Sequence, residues 1–436
     1  ARQRLWTIGF RVAGRRLRSK KMLMQNDKLF VNGERLWSSL MEMAEVGATS
    51  KGGCNRQALT DEDKVGRDIF VGWCTHAGCT VRVDAMGNLF ARRTGRDESL
   101  PPVIAGSHLD TQPTGGKFDG VYGVLAGLEV VRTLNDADLS TDRPLEVVVW
   151  TNEEGARFSP AMIGSGVWAG EFSLEYGHGR TDKNGVSIGE ELERLGYLDE
   201  VSIVERDVAA AFELHIEQGP ILENEGLKIG VLTGVQGMNW YDLTLEGDAC
   251  HAGPTPMEDR RDPFMGLHSI VKRYYELATE KGPWGRMTFG DIRLEPGSRN
   301  TVPEKIVLSI DMRHPEQAVL DEMDRRLHFI AAEEADRFGL RYSIHDEWQS
   351  PAVEFDRDCI AAVQRSADLL GYSNKKMVSG AGHDSVYVSR VAPTGMIFVP
   401  CEGGLSHNEA ENANPEELEA GCNVLLHAML ERANQH

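Results

Sequence analysis

The chain has 436 residues, a length that suits two or three domains and a core burying about three quarters of the unfolded surface. Its hydrophobic content of 41% is that of a globular protein, and its net charge of −20 argues against a nucleic-acid partner, whose phosphates select cationic surfaces. No uncharged apolar run reaches about 18 residues, which excludes a membrane-spanning helix and leaves a large soluble protein of intracellular type.

Residues 1–24 carry eight basic side chains and no acidic one, so the rest holds 39 basic against 67 acidic residues, or −28. This leader has the Arg-rich composition of a targeting peptide without a secretory apolar core. It also fits the blander readings of a disordered tail, an artefact, or translation from a start upstream of Met24, and it is set aside from the fold. Helical spacing follows over 33–46 and 61–77, where Thr60 with Asp63 resembles a capping box. Residues 80–92 alternate as a strand around a turn at Met86-Gly87-Asn88. Residues 100–107 form a short apolar strand, 120–134 a helix, and LEVVVW at 145–150 a strand covered on both faces. Strand, loop, helix, strand is the rhythm of an open, mostly parallel α/β sheet, whose chemistry lies beyond the carboxyl ends of its strands.

From residue 238 the pattern changes. Strands at 239–246, 286–294, 304–313 and 341–347 alternate with helices at 262–279 and 316–337. The order β-α-β-β-α-β is that of the split βαβ sandwich. It predicts a domain at 238–347 inserted into a catalytic domain formed by 25–237 and 348–436. α/β character then returns with a helix near 356–370, a glycine turn at 379–382, a strand at 394–399 and a closing helix near 415–432. Seven thinly spread cysteines (Cys54, Cys74, Cys79, Cys250, Cys359, Cys401, Cys422) do not make a disulfide framework.

Four clusters carry chemistry. His108 and Asp110 form an H-x-D at a strand end, and Asp119 follows a glycine-rich turn. Glu153 and Glu154 are adjacent after LEVVVW, and His215 and His407 sit in ELHIEQG and GGLSHNE. Singly, an H-x-D pair fits a surface cap, paired glutamates a solvated face, and a lone histidine a core hydrogen bond. Together, at strand ends and glycine loops, imidazole and carboxylate donors suit zinc, cobalt, nickel or manganese. A neighbouring carboxylate would then serve as the proton carrier.

The segments GSHLDTQPTGGKFDG, TNEEGARF, ELHIEQGP, HAGPTPMEDRRDP, NTVPEK, SIDMRHP, SGAGHD and GGLSHNEAE resemble the hydantoinase/carbamoylase-type amidases of the zinc-dependent, M20 peptidase-like amidohydrolases, over residues 30–432 in order. The resemblance implies a zinc-exopeptidase-like α/β domain with an inserted βαββαβ, ferredoxin-like lid and dimerisation domain. It also implies two divalent metal ions per chain, with Asp119 bridging, His108 and His215 on one ion and Glu154 and His407 on the other. Asp110 would orient His108, and Glu153 would be the general base and acid. His251, supplied across a homodimer, would stabilise the oxyanion. Asn300 and Arg313 would bind a substrate carboxylate, Gln218 the carbamoyl group, and His383 would shape the pocket or touch substrate. The implied activity is hydrolysis of N-carbamoyl-L-amino acids by a cytoplasmic enzyme. N-carbamoyl-β-alanine, allantoate, an ordinary peptidase or aminoacylase substrate, and a catalytically silent homologue are the alternatives.

Overall fold

The structure is a computed structural model that describes residues 29–198 and 207–435. The basic leader at 1–24 lies outside the described residues. The chain divides into two compact units, one holding the residues up to Thr233 and from Phe355, the other Gly234–Glu354.

The first unit is built on a nine-stranded sheet. Its centre is four parallel strands in the order β4 (Leu145–Trp150), β3 (Val103–His108), β5 (Ala210–Ile216) and β16 (Thr394–Val399). Antiparallel flanks are added by β1 (Thr80–Val83) and β2 (Leu89–Arg93) on one side. On the other side β6 (Ile229–Val235) pairs antiparallel with β16 and with the short β14 (Val353–Glu354), and β15 (Asn374–Ser379) also pairs with β6. Every residue of the four central strands is buried, which is why LEVVVW and its neighbours read as continuous rather than alternating runs. Helices 121–136 and 415–433 join the same core through Val121, Leu125, Leu128, Val424, Leu425 and Leu430.

Local signals act as the residues dictate. Thr60 accepts the backbone N–H of Asp63, but Asp63 returns its bond to Leu59 N rather than to the cap residue. Its other partner is Arg67, in an ion pair that is fully buried. Arg67 continues to the carbonyl of Gly87 and the hydroxyl of Thr151, fixing the first residue after β4.

In the second unit an antiparallel sheet runs β10 (Ile292–Glu295), β12 (Lys305–His314), β7 (Gly237–Glu246), β13 (Arg341–Ser350), with β9 (Arg286–Thr288) also pairing with β12. The single strand read at 286–294 is therefore two, parted at Phe289-Gly290-Asp291. β12 alternates between half-buried and buried along its whole length, the signature of a sheet with one packed face. Helices 263–280 and 317–337 cover that face, closing Leu267, Ile270, Tyr274, Leu320, Met323 and Leu327 against Tyr241, Leu243 and Leu245. A separate two-residue ribbon pairs β8 (Cys250–His251) with β11 (Thr301–Val302).

Among the described residues no helix is long and apolar enough to cross a membrane.

Candidate metal centre and active site

The four parallel strands point their carboxyl ends at one edge of the sheet, and the site is assembled there. His108 is the last residue of β3 and His215 the penultimate residue of β5. Glu153 and Glu154 follow β4, and His407 lies in the loop after β16. Asp119 comes from the loop that enters helix 121–136.

Asp119 is the hub. Its Oδ1 lies 3.5 Å from His108 Nε2 and 3.1 Å from His215 Nε2. Its Oδ2 lies 3.6 Å from His407 Nε2, which in turn is 3.3 Å from Glu154 Oε2. Two groups result, His108-Asp119-His215 and Asp119-Glu154-His407, each with ligand atoms within 4.8 Å of one another. The shared carboxylate turns one oxygen to each. Gly120 makes the first group possible, because a Cβ there would fall 2.3 Å from the His108 ring, and its φ of 68° belongs to the left-handed region. Asn152, Gln218 and His407 hold the same region without being glycine, at φ 58°, 57° and 53°. Such backbone persists where surrounding contacts over-determine it.

The donor set fits divalent cations. Asp110, Asp119, Glu153, Glu213, Asp384 and Glu411 are all buried near His108, His215 and His383, so carboxylates outnumber imidazoles in a space that water screens poorly. Burial drives the carboxyls of Glu153 and Asp384 well up, and that of Asp110 to about 6. At Asp119 burial works the same way, but hydrogen bonds from His108 and His215 outweigh it and hold the group well below the usual carboxylate range. His407 is raised to about 9 by its bond with Glu154. A site that so favours positive charge, with oxygen and nitrogen donors only, matches zinc, manganese, cobalt or nickel.

The remaining residues of the first unit take defined places. Glu153 is 7% exposed, with Oε2 3.4 Å from His108 Nε2. Asp110 differs from expectation in detail. The His108 ring is held by the backbone carbonyl of Asp110 at 2.8 Å, whereas its carboxylate is 4.0 Å away and accepts the N–H groups of Glu153 and Glu154. β3 ends at His108, so the two-residue alternation that would align both side chains no longer applies. Gln218 directs its amide N–H to Asp119 Oδ2 and Ser406 Oγ, leaving a buried Oε1 without a partner. His383 is 2% exposed, edge-on to His215 at 4.7 Å and bonded to Ser379 Oγ. It stands against the His215 ring.

Sequence reasoning missed three supports. Ser406 donates to Asp119 Oδ2 at 2.7 Å. Gln112 grips Glu154 through its backbone and side-chain N–H groups. Arg56, 1% exposed, spends its guanidinium on the carbonyls of Leu109, Met43 and Val46, pinning the residue between His108 and Asp110. Ser406 and Gln112 stand beside ligand residues in the recognised motifs, which is the signal that could have found them. Arg56 lies in none.

In the second unit, the ribbon sets Thr301 opposite His251, and Ala252 N donates to the carbonyl of Asn300 at 3.0 Å. Two motifs some fifty residues apart in sequence thus meet. His251 is exposed; Gly253 N–H donates to its Nδ1 at 3.0 Å, so the neutral ring carries its proton on Nε2. Arg313, half-buried on β12, makes a two-pronged ion pair with Asp311 at 2.8 and 2.7 Å.

Residues 104–431 match the model of peptidase family M20/M25/M40. An N-carbamoyl-L-amino-acid amidohydrolase of Rhizobium meliloti is 49% identical over 92% of the chain and 97% of that protein. An N-carbamoyl-L-amino acid amidohydrolase of Geobacillus stearothermophilus is 37% identical over 92% and 99%. The crystal structure of an amidase of the hydantoinase/carbamoylase family from Burkholderia multivorans superposes with a TM-score of 0.90 at 53% identity, covering 93% of the chain and 99% of that protein.

Proposed function

The chain belongs to peptidase family M20/M25/M40, in its branch of hydantoinase/carbamoylase-type amidohydrolases, and on that premise we propose that it hydrolyses the carbamoyl amide of N-carbamoyl-L-amino acids. The observation that carries this reading is the shared Asp119 with a histidine, His215, completing the first ligand group. By family resemblance, that histidine marks the ureido-acting branch.

His108, Asp119 and His215 would hold one divalent ion, and Asp119, Glu154 and His407 the other. When bound, such ions supply Lewis-acid polarisation of the carbonyl and an acidified water. Glu153 takes the proton of the attacking water. Its carboxyl is driven up by burial and by Asp384, Glu154 and Asp110, against the pull of His108, so it is a base of raised affinity for that proton. It then delivers the proton to the departing nitrogen as the carbon–nitrogen bond breaks. The products are the amino acid and a carbamate that decomposes to carbon dioxide and ammonia. His251, with its proton on Nε2, is the donor to the developing oxyanion. Arg313 and Asn300 receive the substrate carboxylate, a pairing that suits a guanidinium fork. Gln218 offers its unpartnered Oε1 to the ureido N–H.

The inserted unit serves as lid and dimerisation domain, with His251 acting in the partner's site. β13 is an edge of its sheet, and Tyr342 on it is 43% exposed, an edge that a second copy would cover. The seven free cysteines accord with a cytoplasmic enzyme.

The test is a panel of N-carbamoyl-L-methionine, its D-isomer, N-carbamoyl-β-alanine, allantoate and an N-acetyl amino acid, with Mn, Co, Ni or Zn supplied in turn and ammonia release measured. The expected result is fastest turnover of N-carbamoyl-L-methionine. Preference for N-carbamoyl-β-alanine or allantoate reassigns the substrate, and preference for the acetyl compound makes the protein an aminoacylase. Fewer than two ions per chain after reconstitution, with no turnover, makes it a silent homologue.

A further inference from the structure

Glu411 stands four residues beyond His407 and belongs to neither ligand group, yet it is 2% exposed. Its Oε1 accepts the backbone N–H groups of Phe118 and Asp119 at 2.8 and 3.2 Å. Its Oε2 is buried and has no hydrogen-bond partner. A carboxylate buried with one oxygen unused is costly, so its place calls for a function that offsets the cost. The opposite wall is shaped to admit it. A Cβ at Gly116 would fall 2.0 Å from the Glu411 carboxyl carbon. Gly116 is not among the residues of positive φ, so what position 116 must provide is space.

We propose that Glu411 is a positioning residue, a clasp that fixes the Phe118–Asp119 peptide from the loop carrying His407 so that Asp119 presents one oxygen to each ligand group. The proposal rests on the reading of Asp119 as shared ligand. Three bonds join the two loops at this point. Ser406 Oγ holds the Asp119 carboxylate from the side chain, and Glu411 holds Phe118 and Asp119 from the backbone. A small shift of the Asp119 backbone would lengthen its contacts to both groups together, since constellations of this kind tolerate only about 0.5 Å. Without Glu411, two N–H groups in the glycine-rich loop would be buried and unpaired.

The test titrates full-length protein with Mn²⁺ or Zn²⁺ by calorimetry, in parallel with thermal unfolding in chelator. Glu411→Ala is expected to weaken binding of both ions by about 10–100-fold, the usual cost of losing a group that orients a ligand. Glu411→Gln keeps an oxygen for the two N–H groups and puts its NH₂ where Oε2 has no partner, so it should restore affinity close to wild type. Gly116→Ala expels the carboxylate and should reproduce the Glu411→Ala loss. The double variant should be no worse than Glu411→Ala alone, because the clash disappears with the side chain. If Glu411→Ala does not fold, the contrast between Gly116→Ala and Glu411→Gln decides. Unchanged metal affinity with a lowered melting temperature in chelator would overturn the clasp in favour of plain structural support. A Gln variant as weak as the Ala variant would overturn it as well. Wild-type protein that binds fewer than two ions would instead refute the shared-ligand reading.

Discussion

His215 and His251 are both histidines at the end of a strand, but their surroundings are opposite. His215 is 1% exposed, fixed between Asp119, the carbonyl of Ile216 and the ring of His383. His251 lies exposed in the second unit on a two-residue ribbon, its Nδ1 engaged by Gly253. The same contrast separates Glu153 and Asp119 from Asn300 and Arg313. In the first unit, the candidate chemistry is buried and hydrogen-bonded before any substrate arrives, as electrostatic preorganisation requires. In the second, the candidate recognition groups are open to solvent or engaged by a local partner such as Asp311. On the proposed reading the metal ligands and the proton carrier lie in the first unit and the oxyanion donor and carboxylate-binding pair in the second, and substitutions should separate them by their effect on kcat, KM and metal content.

The largest effect is expected from Glu153→Gln, which should keep both ions by metal analysis and lose about 10²–10⁴ in kcat. Near-normal kcat with metals bound would end its role and break the contrast. His251→Ala should lower kcat by about 10²–10³ with metal content unchanged. Mixing it with Glu153→Gln protein should recover activity if the histidine acts across subunits, because some hybrid dimers regain one complete site. Arg313→Ala should raise KM for carboxylate substrates by about tenfold or more, from the loss of a charge-assisted pair, with kcat changed far less. An unchanged KM would place the carboxylate elsewhere. The smallest change is expected for Asp311→Asn, which removes one carboxylate competing for the guanidinium and should lower KM a few-fold; a raised KM would mean that Asp311 aligns the arginine rather than competing for it.

Much of this was legible in the chain. LEVVVW, ELHI and TGMIFV could be read as buried strands because each is apolar along its length, and a strand's carboxyl end fixes where its ligand residue stands. The candidate ligand residues stood out as imidazole and carboxylate donors at strand ends and glycine loops, and the family resemblance, not their spacing, sorted them into two groups. Contacts through the backbone were not. That Asp110 would hold His108 by its carbonyl depends on β3 ending two residues earlier than an H-x-D on a continuing strand requires. The strand read at 286–294 failed where Phe289-Gly290-Asp291 interrupts pairing, since a glycine there costs the pattern nothing. Arg56 was invisible, because an arginine bonded to three carbonyls leaves no partner residue for a motif to record.

The short pairing of β6 with β14 has a further consequence. Gly234 and Val235 lie opposite Glu354 and Val353, and Phe355 N donates to the carbonyl of Thr233 at 3.0 Å. The chain therefore leaves the first unit and returns to it on two adjacent, paired strands. A deletion that joins Thr233 to Phe355 through a short glycine linker would leave the four parallel strands and all five candidate ligands on a continuous polypeptide. The inserted unit is in that sense a removable cassette, and the metal chemistry should be separable from it by gene surgery.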